Sequence, residues 1–197
     1  YHLMKEIVPL ADYCLDFHTG GADRFNAPQI RINEGDEESL ELAKIFGAPF
    51  IMKSKRREKS YRDSVIKLGK KVLLFEGGKS LDIDKSVTKV GVKGALNLMH
   101  HLGVRDFSKE LASKAKVSEP IVVASSKWIR ASYSGMFRSN AVLGRLYNKG
   151  DKLGSISDPF GFFEKDVKAP IKGYVFCINK APIVNKGDAV INMSVEK

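Results

Sequence analysis

Three short stretches hold residue types able to do chemistry. In Asp16-Phe17-His18-Thr19 an imidazole follows a carboxylate by two residues, at the end of an apolar run. An imidazole at a strand terminus can ligate zinc, and a nearby carboxylate can hold its second ring nitrogen. Taken alone, His18 reads more simply as a packing or surface histidine. Glu76 follows Val72, Leu73, Leu74 and Phe75 and precedes Gly77 and Gly78. That order predicts a carboxylate leaving a buried strand at a sharp turn. Burial of a carboxyl raises its pKa toward the range of a general base; the competing reading is a turn or cap acid. Arg62 stands fourteen residues before Glu76. Its guanidinium has the fork geometry that grips a carboxylate, or it is one more solvated charge among the basic residues around it.

The elements that position these residues alternate between helix and strand. Apolar residues at 3, 4, 7, 8, 10 and 11 have a helical period. Residues 13–17 read as a buried strand ending in a turn at His18-Thr19-Gly20-Gly21. Residues 37–46 read as a helix capped by Asp36 or Ser39, and residues 49–52 as a strand. Ser60 is placed to cap a helix over residues 61–68, closed by Gly69. A strand over 71–75 and a long helix over 84–102, stopped by Gly103, complete the series. Repeated alternation of this kind predicts an α/β layered domain.

Composition sets outer bounds. The chain has 197 residues, is 43% hydrophobic and 28% charged, and carries a formal charge of +10. An apolar fraction of this size supports a packed core and argues against disorder. No apolar run approaches the ~20 residues of a membrane-spanning helix, so no membrane partner is expected. Cys14 and Cys177 give no disulfide framework, which predicts a reducing, cytoplasmic setting. Residues 53–71 hold nine basic and two acidic residues. That stretch could meet nucleic-acid phosphates, but only Tyr61 interrupts it as an aromatic for base stacking. A basic loop beside an anion-accepting site accounts for it equally well.

After Pro120 helical periodicity ends, and short Val/Ile runs between Gly and Asp-Pro turns predict an all-β module. It contains an internal repeat. Ala131-Ser-Tyr-Ser-Gly135 returns as Ala169-Pro-Ile-Lys-Gly173, and Asn148-Lys-Gly-Asp151 as Asn185-Lys-Gly-Asp188. Two such copies predict halves related by a pseudo-twofold. The pattern resembles the barrel-sandwich hybrid of biotinyl and lipoyl carrier domains. Those carry a lysine five residues before the Val of a Val-x-Ala-Pro segment. Here the segment is Val167-Lys-Ala-Pro170 and the equivalent position is Phe162, so the resemblance implies the fold without the covalent cofactor.

Taken together, the three stretches carry a second resemblance. Asp16-Phe-His-Thr-Gly-Gly21 followed by Arg24-Phe-Asn-Ala-Pro-Gln-Ile-Arg31, then Tyr61-Arg62, then Glu76-Gly-Gly, is similar to the succinylglutamate desuccinylase/aspartoacylase family of zinc deacylases. The resemblance implies a carboxypeptidase-like mixed-sheet catalytic domain over residues 1–117 and the β module over 118–197. It implies zinc as cofactor, His18 as a ligand, Asp16 as its outer support, and Glu76 as general base then general acid. Arg62 would bind the carboxylate of a small anionic N-acyl amino acid, with Arg24 and Asn26 lining the pocket or shaping its loop. The β module would serve as a cap or as the contact of a homo-oligomer. The family also holds zinc through an upstream Gly-x-His-Gly-x-Glu segment, and binds substrate through Asp-x-Asn-Arg. Neither is present; none of His2, His100 and His101 has a Glu three positions on. The expectation is a catalytic domain lacking its N-terminal third, inactive alone. The alternatives are a non-catalytic remnant joined to a β interaction module, and a nucleic-acid binder using residues 53–71.

Overall fold

The computed structural model describes residues 1–112 and 119–195. The chain forms two compact units. One comprises Tyr1–His18, Pro28–Glu76 and Ile83–Val122; the other comprises Thr19–Ala27, Gly77–Asp82 and Val123–Lys197. The boundary expected between residues 117 and 118 lies outside the described residues. Among the described residues, no helix is long and apolar enough to cross a membrane.

The first unit opens with a π-helical turn at Leu3–Ile7 and a 3-10 turn at Val8–Leu10. The apolar period there is helical, but Pro9 has no amide hydrogen to continue an α-helical ladder. Next come β1 (Tyr13–Gly20), β2 (Arg24–Ile32), α1 (Glu37–Phe46), β3 (Phe50–Lys53), α2 (Tyr61–Lys67), β4 (Lys71–Lys79), α3 (Lys85–His101), α4 (Ser108–Leu111) and β5 (Ile121–Val123). The strands stand in the order β1-β4-β2-β3-β5. Strands β2 and β3 run parallel, with Gln29 opposite Phe50 and Arg31 opposite Met52.

Side-chain caps start α1, α2 and α3. Asp36 accepts the Ser39 amide, Ser60 the Asp63 amide, and Asp84 the amides of Ser86 and Val87, each supplying an acceptor for amides that lack an intrahelical one. Helices α1 and α3 pack closely because position 94 is glycine. A Cβ there would lie 2.2 Å from the Phe46 ring. Asn97 Nδ2 donates to the Phe46 carbonyl at 3.2 Å, so α3 also satisfies the end of α1.

Two strands run longer than their sequence suggests. Strand β1 continues through His18 and Thr19 to Gly20, and the turn follows at residues 21–23. Arg24 and Asn26, expected to line a pocket or shape a loop, lie in strand β2. Likewise β4 continues past Glu76 to Lys79, so Glu76 is a mid-strand residue and not the first residue of a turn. Gly-rich dipeptides here extend strands that have partners for their backbone groups, and pairing overrides the local turn signal.

The second unit is all-β. Its strands are β6 (Ser126–Arg130), β7 (Gly135–Ser139), β8 (Leu146–Tyr147), β9 (Lys152–Ser157), β10 (Glu164–Lys168), β11 (Gly173–Asn179), β12 (Ile183–Val184) and β13 (Ala189–Ser194). One sheet is four-stranded, in the order β10-β9-β7-β12. Elsewhere β11 pairs with β13, β8 and the opening residues of β2, and β13 pairs with β6. The core contains Leu153, Ile156, Val175, Ile178, Ile191 and Met193.

The internal repeat is visible as exchanged hydrogen bonds. Asn148 N–H donates to Asp151 Oδ2 and Asn185 N–H to Asp188 Oδ2, both at 2.8 Å. Gly150 and Gly187, each at positive φ, complete these turns as glycine does without a Cβ penalty. The Gly150 amide donates to the Ala169 carbonyl and the Gly187 amide to the Ala131 carbonyl, again both at 2.8 Å. Each copy's turn thus holds the alanine that opens the other copy.

Candidate active site

Strand alternation sorts the side chains of the first unit onto two faces. Leu15, Ile30, Ile32, Ile51, Leu73 and Phe75 pack against Leu42, Ala43, Phe46 and Leu98 of the helices. Their neighbours along the strands face the other way: Cys14, Asp16 and His18 on β1, Gln29 and Arg31 on β2, Glu76 on β4. Helix α2 covers this second face, where Val65 packs with Val8, Val72 and Cys14. The structure therefore brings His18, Asp16, Glu76 and Arg62 to one face of one sheet.

Asp16 Oδ2 lies 3.0 Å from His18 Nε2. With the Nε2–H donated to the carboxylate, Nδ1 keeps the lone pair a metal would take. His18 is half-exposed at the side chain, which suits a ligand more than a core residue. Among the described residues, no group of three or more His, Cys, Asp or Glu side chains is arranged to hold a metal ion. A catalytic zinc needs three protein ligands, so the residues present do not by themselves fit the metal.

Arg62 is buried, not solvated: it is 7% exposed. Its Nη1 and Nη2 donate to Ser54 Oγ at 3.3 Å, and Nη2 also donates to the Lys55 carbonyl at 3.3 Å. All three bonds are at the long end of the useful range and end on neutral acceptors. Its Nε is buried with no hydrogen-bond partner. Burial, and then the like charge of Arg31, push the guanidinium below its ordinary pKa. Among the described residues, this is a cation held out of water without a carboxylate among its hydrogen-bond partners.

Glu76 is held by Arg31, which sequence reasoning did not single out. Arg31 Nε stands 2.6 Å from Glu76 Oε2, off the N–H direction, so the contact is an ion pair without a directional hydrogen bond. The carboxylate is mostly buried yet beside a cation, in place of the apolar lodging expected for it. The signal for Arg31 was present in Ile30-Arg31-Ile32. A charge between two core-facing isoleucines must point to the opposite face of the strand.

Two further side chains shape this face. Burial, followed by a hydrogen bond with Cys14, pushes the Tyr61 hydroxyl up to about 12. Asp63, buried at the side chain, accepts from the Lys59 amide at 2.9 Å and Lys67 Nζ at 2.8 Å, and Arg56 Nε lies 2.9 Å from its other oxygen. The basic loop is thereby tied to α2. Arg24 and Asn26 belong to the second unit. There Arg24 lies 5.5 Å over the Trp128 ring, and Asn26 is buried opposite Cys177 on β11.

An α/β unit with a polar sheet face, followed by an all-β unit, defines the class of protein. The model of the succinylglutamate desuccinylase/aspartoacylase catalytic domain matches residues 2–102, and the chain belongs to that family. The chain is 23% identical to the N-alpha-acetyl-L-2,4-diaminobutyric acid deacetylase of Halomonas elongata, over 96% of this chain and 58% of that protein. A succinylglutamate desuccinylase/aspartoacylase from Rhodobacter sphaeroides shares its fold with a TM-score of 0.83 and 22% identity, covering all of this chain and 62% of that one. The product-bound ectoine utilization protein EutE (DoeB) of Ruegeria pomeroyi gives a TM-score of 0.79 at 20% identity, over 99% of this chain and 61% of that one. The chain thus spans about three fifths of the length of these relatives.

Proposed function

We propose that this chain carries the acid–base and carboxylate-binding half of a zinc-dependent deacylase acting on small N-acyl amino acids. The observation that carries the proposal is Arg62, a buried guanidinium whose hydrogen bonds among the described residues are long contacts to neutral acceptors. Such a group is short of an anion, and a substrate carboxylate supplies one in bidentate form. Glu76, on the same face and oriented by Arg31, takes the proton of the attacking water and passes it to the leaving amine. His18 offers Nδ1, with Asp16 fixing the ring from the other nitrogen. Zinc, when bound, would activate water and polarise the amide carbonyl.

On this sheet face His18 is joined, among the described residues, by no group of three His, Cys, Asp or Glu side chains able to hold a metal, and we infer that these 197 residues alone neither retain zinc nor turn over substrate. This favours the reading of a non-catalytic chain whenever it stands by itself. The second unit we infer to be a barrel-sandwich-like module without carrier chemistry, since Phe162 stands exposed where the lysine would be. Arg24 acts as a packing residue on Trp128. Nucleic-acid binding is disfavoured, because Arg56 and Lys67 of the basic stretch are engaged by Asp63. A cytoplasmic location and homo-oligomer formation stay part of the proposal.

Metal analysis and an amine-release assay test it together. The 197-residue chain is expected to hold well under stoichiometric zinc and to release no amine from a panel of N-acetyl, N-succinyl and N-formyl amino acids. Full-length, zinc-loaded protein is expected to hydrolyse at least one member. Stoichiometric zinc in the chain alone, or no hydrolysis of any member by the loaded protein, would contradict the reading.

A further inference from the structure

Arg62 and Glu76 pose a problem for one another. A buried cation short of an anion and a carboxylate on the same sheet face attract, and a direct pair would fill the substrate's place and remove the base. What stands against this is Arg31. Its Nε is 2.6 Å from Glu76 Oε2, and its charge is felt by Arg62. It projects from the middle of β2 beside Gln29 and between Ile30 and Ile32, whose side chains fix its direction by facing the helical core.

From this ion pair and the shared strand face we propose that Arg31 is a positioning residue: it holds the Glu76 carboxylate so that Arg62 stays open to the carboxylate of an N-acyl amino acid. The inference rests on the proposed substrate class, since it takes Arg62 as the anion receptor. Arg31 touches Glu76, and in this role its removal acts on binding through Glu76, which separates it from a general structural role.

A double-mutant cycle on equilibrium binding tests it without requiring turnover. Isothermal titration of the full-length, zinc-loaded protein uses the product amino acids L-2,4-diaminobutyrate, L-aspartate and L-glutamate as probes, which keep the carboxylate and have no amide to hydrolyse. Arg31→Met is expected to weaken the bound probe by about tenfold or more, equivalent to about 1.4 kcal/mol, because Glu76 then pairs with Arg62. In a Glu76→Gln background the same Arg31→Met change is expected to alter affinity by less than about twofold. Arg31→Lys, which keeps the charge, is expected to stay within about threefold of wild type. The Arg31 side chain is about one third exposed, and a thermal midpoint measured on Arg31→Met checks that the variant folds. Equal weakening in both backgrounds overturns the positioning role while leaving the substrate reading intact. Failure of the wild-type protein to bind any probe overturns the substrate reading, and this proposal with it.

Discussion

Replacing Arg62 by Met removes a charge and keeps much of the aliphatic stem. The wild-type side chain makes three hydrogen bonds of 3.3 Å to Ser54 Oγ and the Lys55 carbonyl. Long bonds of this kind sit near the lower end of about 0.5–1.5 kcal/mol each, so the substitution forfeits about 2 kcal/mol. Against this, an ion withdrawn from water without a counter-ion costs several kcal/mol even after relaxation. The buried, unpaired Nε adds about 1–3 kcal/mol, and the repulsion from Arg31 is relieved as well. The balance favours Met by about 1–3 kcal/mol. At roughly 2–4 °C per kcal/mol for a chain of this size, the thermal midpoint should rise by roughly 2–12 °C. The same variant should lose the bidentate, charge-assisted grip on a substrate carboxylate, raising KM about a hundredfold or more. Differential scanning calorimetry and a KM measurement on one preparation check both halves. A fall in midpoint would mean that Arg62 is kept for the fold, and the argument for an open anion site would collapse.

Three further outcomes follow from local contacts. Gly94→Ala gains up to about 1 kcal/mol of helix propensity, but its Cβ would meet the Phe46 ring at 2.2 Å, and overpacking of a filled core costs about 1–3 kcal/mol or more. Urea unfolding should show net destabilisation, and a more stable variant would contradict the close packing of α1 on α3. Tyr61, pushed up to about 12, stays protonated in the folded chain where an unfolded tyrosine, near pKa 10, has ionised. Its contribution is complete below pH ~10 and is lost as pH rises toward ~12; Tyr61→Phe should flatten that alkaline loss. The Lys67 contact and the Lys59 amide hold the Asp63 carboxyl below its ordinary value. Its contribution is present above the unfolded pKa of about 3.9 and is lost as pH falls through its lower folded value. Asp63→Asn should therefore lower the midpoint at pH 7 and make the acid limb below pH ~4 shallower.

Much of the fold is legible in the sequence because caps and periodicity are local. Ser60 caps α2 as expected, Asp36 rather than Ser39 caps α1, and Asp84, expected as the first residue of α3, caps it instead; the two Asn-x-Gly-Asp turns announce the paired halves of the β unit. What escaped was set by strand pairing. Gly20, Gly77 and Gly78 look like turn residues, yet they lie inside β1 and β4, where partner strands take up their backbone groups. That lengthening matters for the site, since it makes Glu76 a mid-strand residue facing Arg31 in place of a turn acid. Asp16, His18, Arg62 and Glu76 stood out by residue type, their roles were implied by the family resemblance alone, and the structure brings them to one face of one sheet. Arg31 did not stand out, because its importance lies in a contact between β2 and β4 forty-five residues apart in sequence. The burial of Arg62 was likewise invisible in a stretch of nine basic residues, most of which are exposed.

The role of Glu76 is open to the most direct measurement, amine release by full-length, zinc-loaded protein compared with its Glu76→Gln variant, with zinc content determined on both. Gln keeps the size of the side chain and removes the proton-accepting oxygen, and loss of a general base costs about 10²–10⁴-fold in rate. The predicted result is unchanged zinc, a KM within a few-fold of wild type, and turnover reduced by at least about a hundredfold. Unchanged turnover with unchanged zinc would remove Glu76 from the chemistry and contradict the site described for this chain.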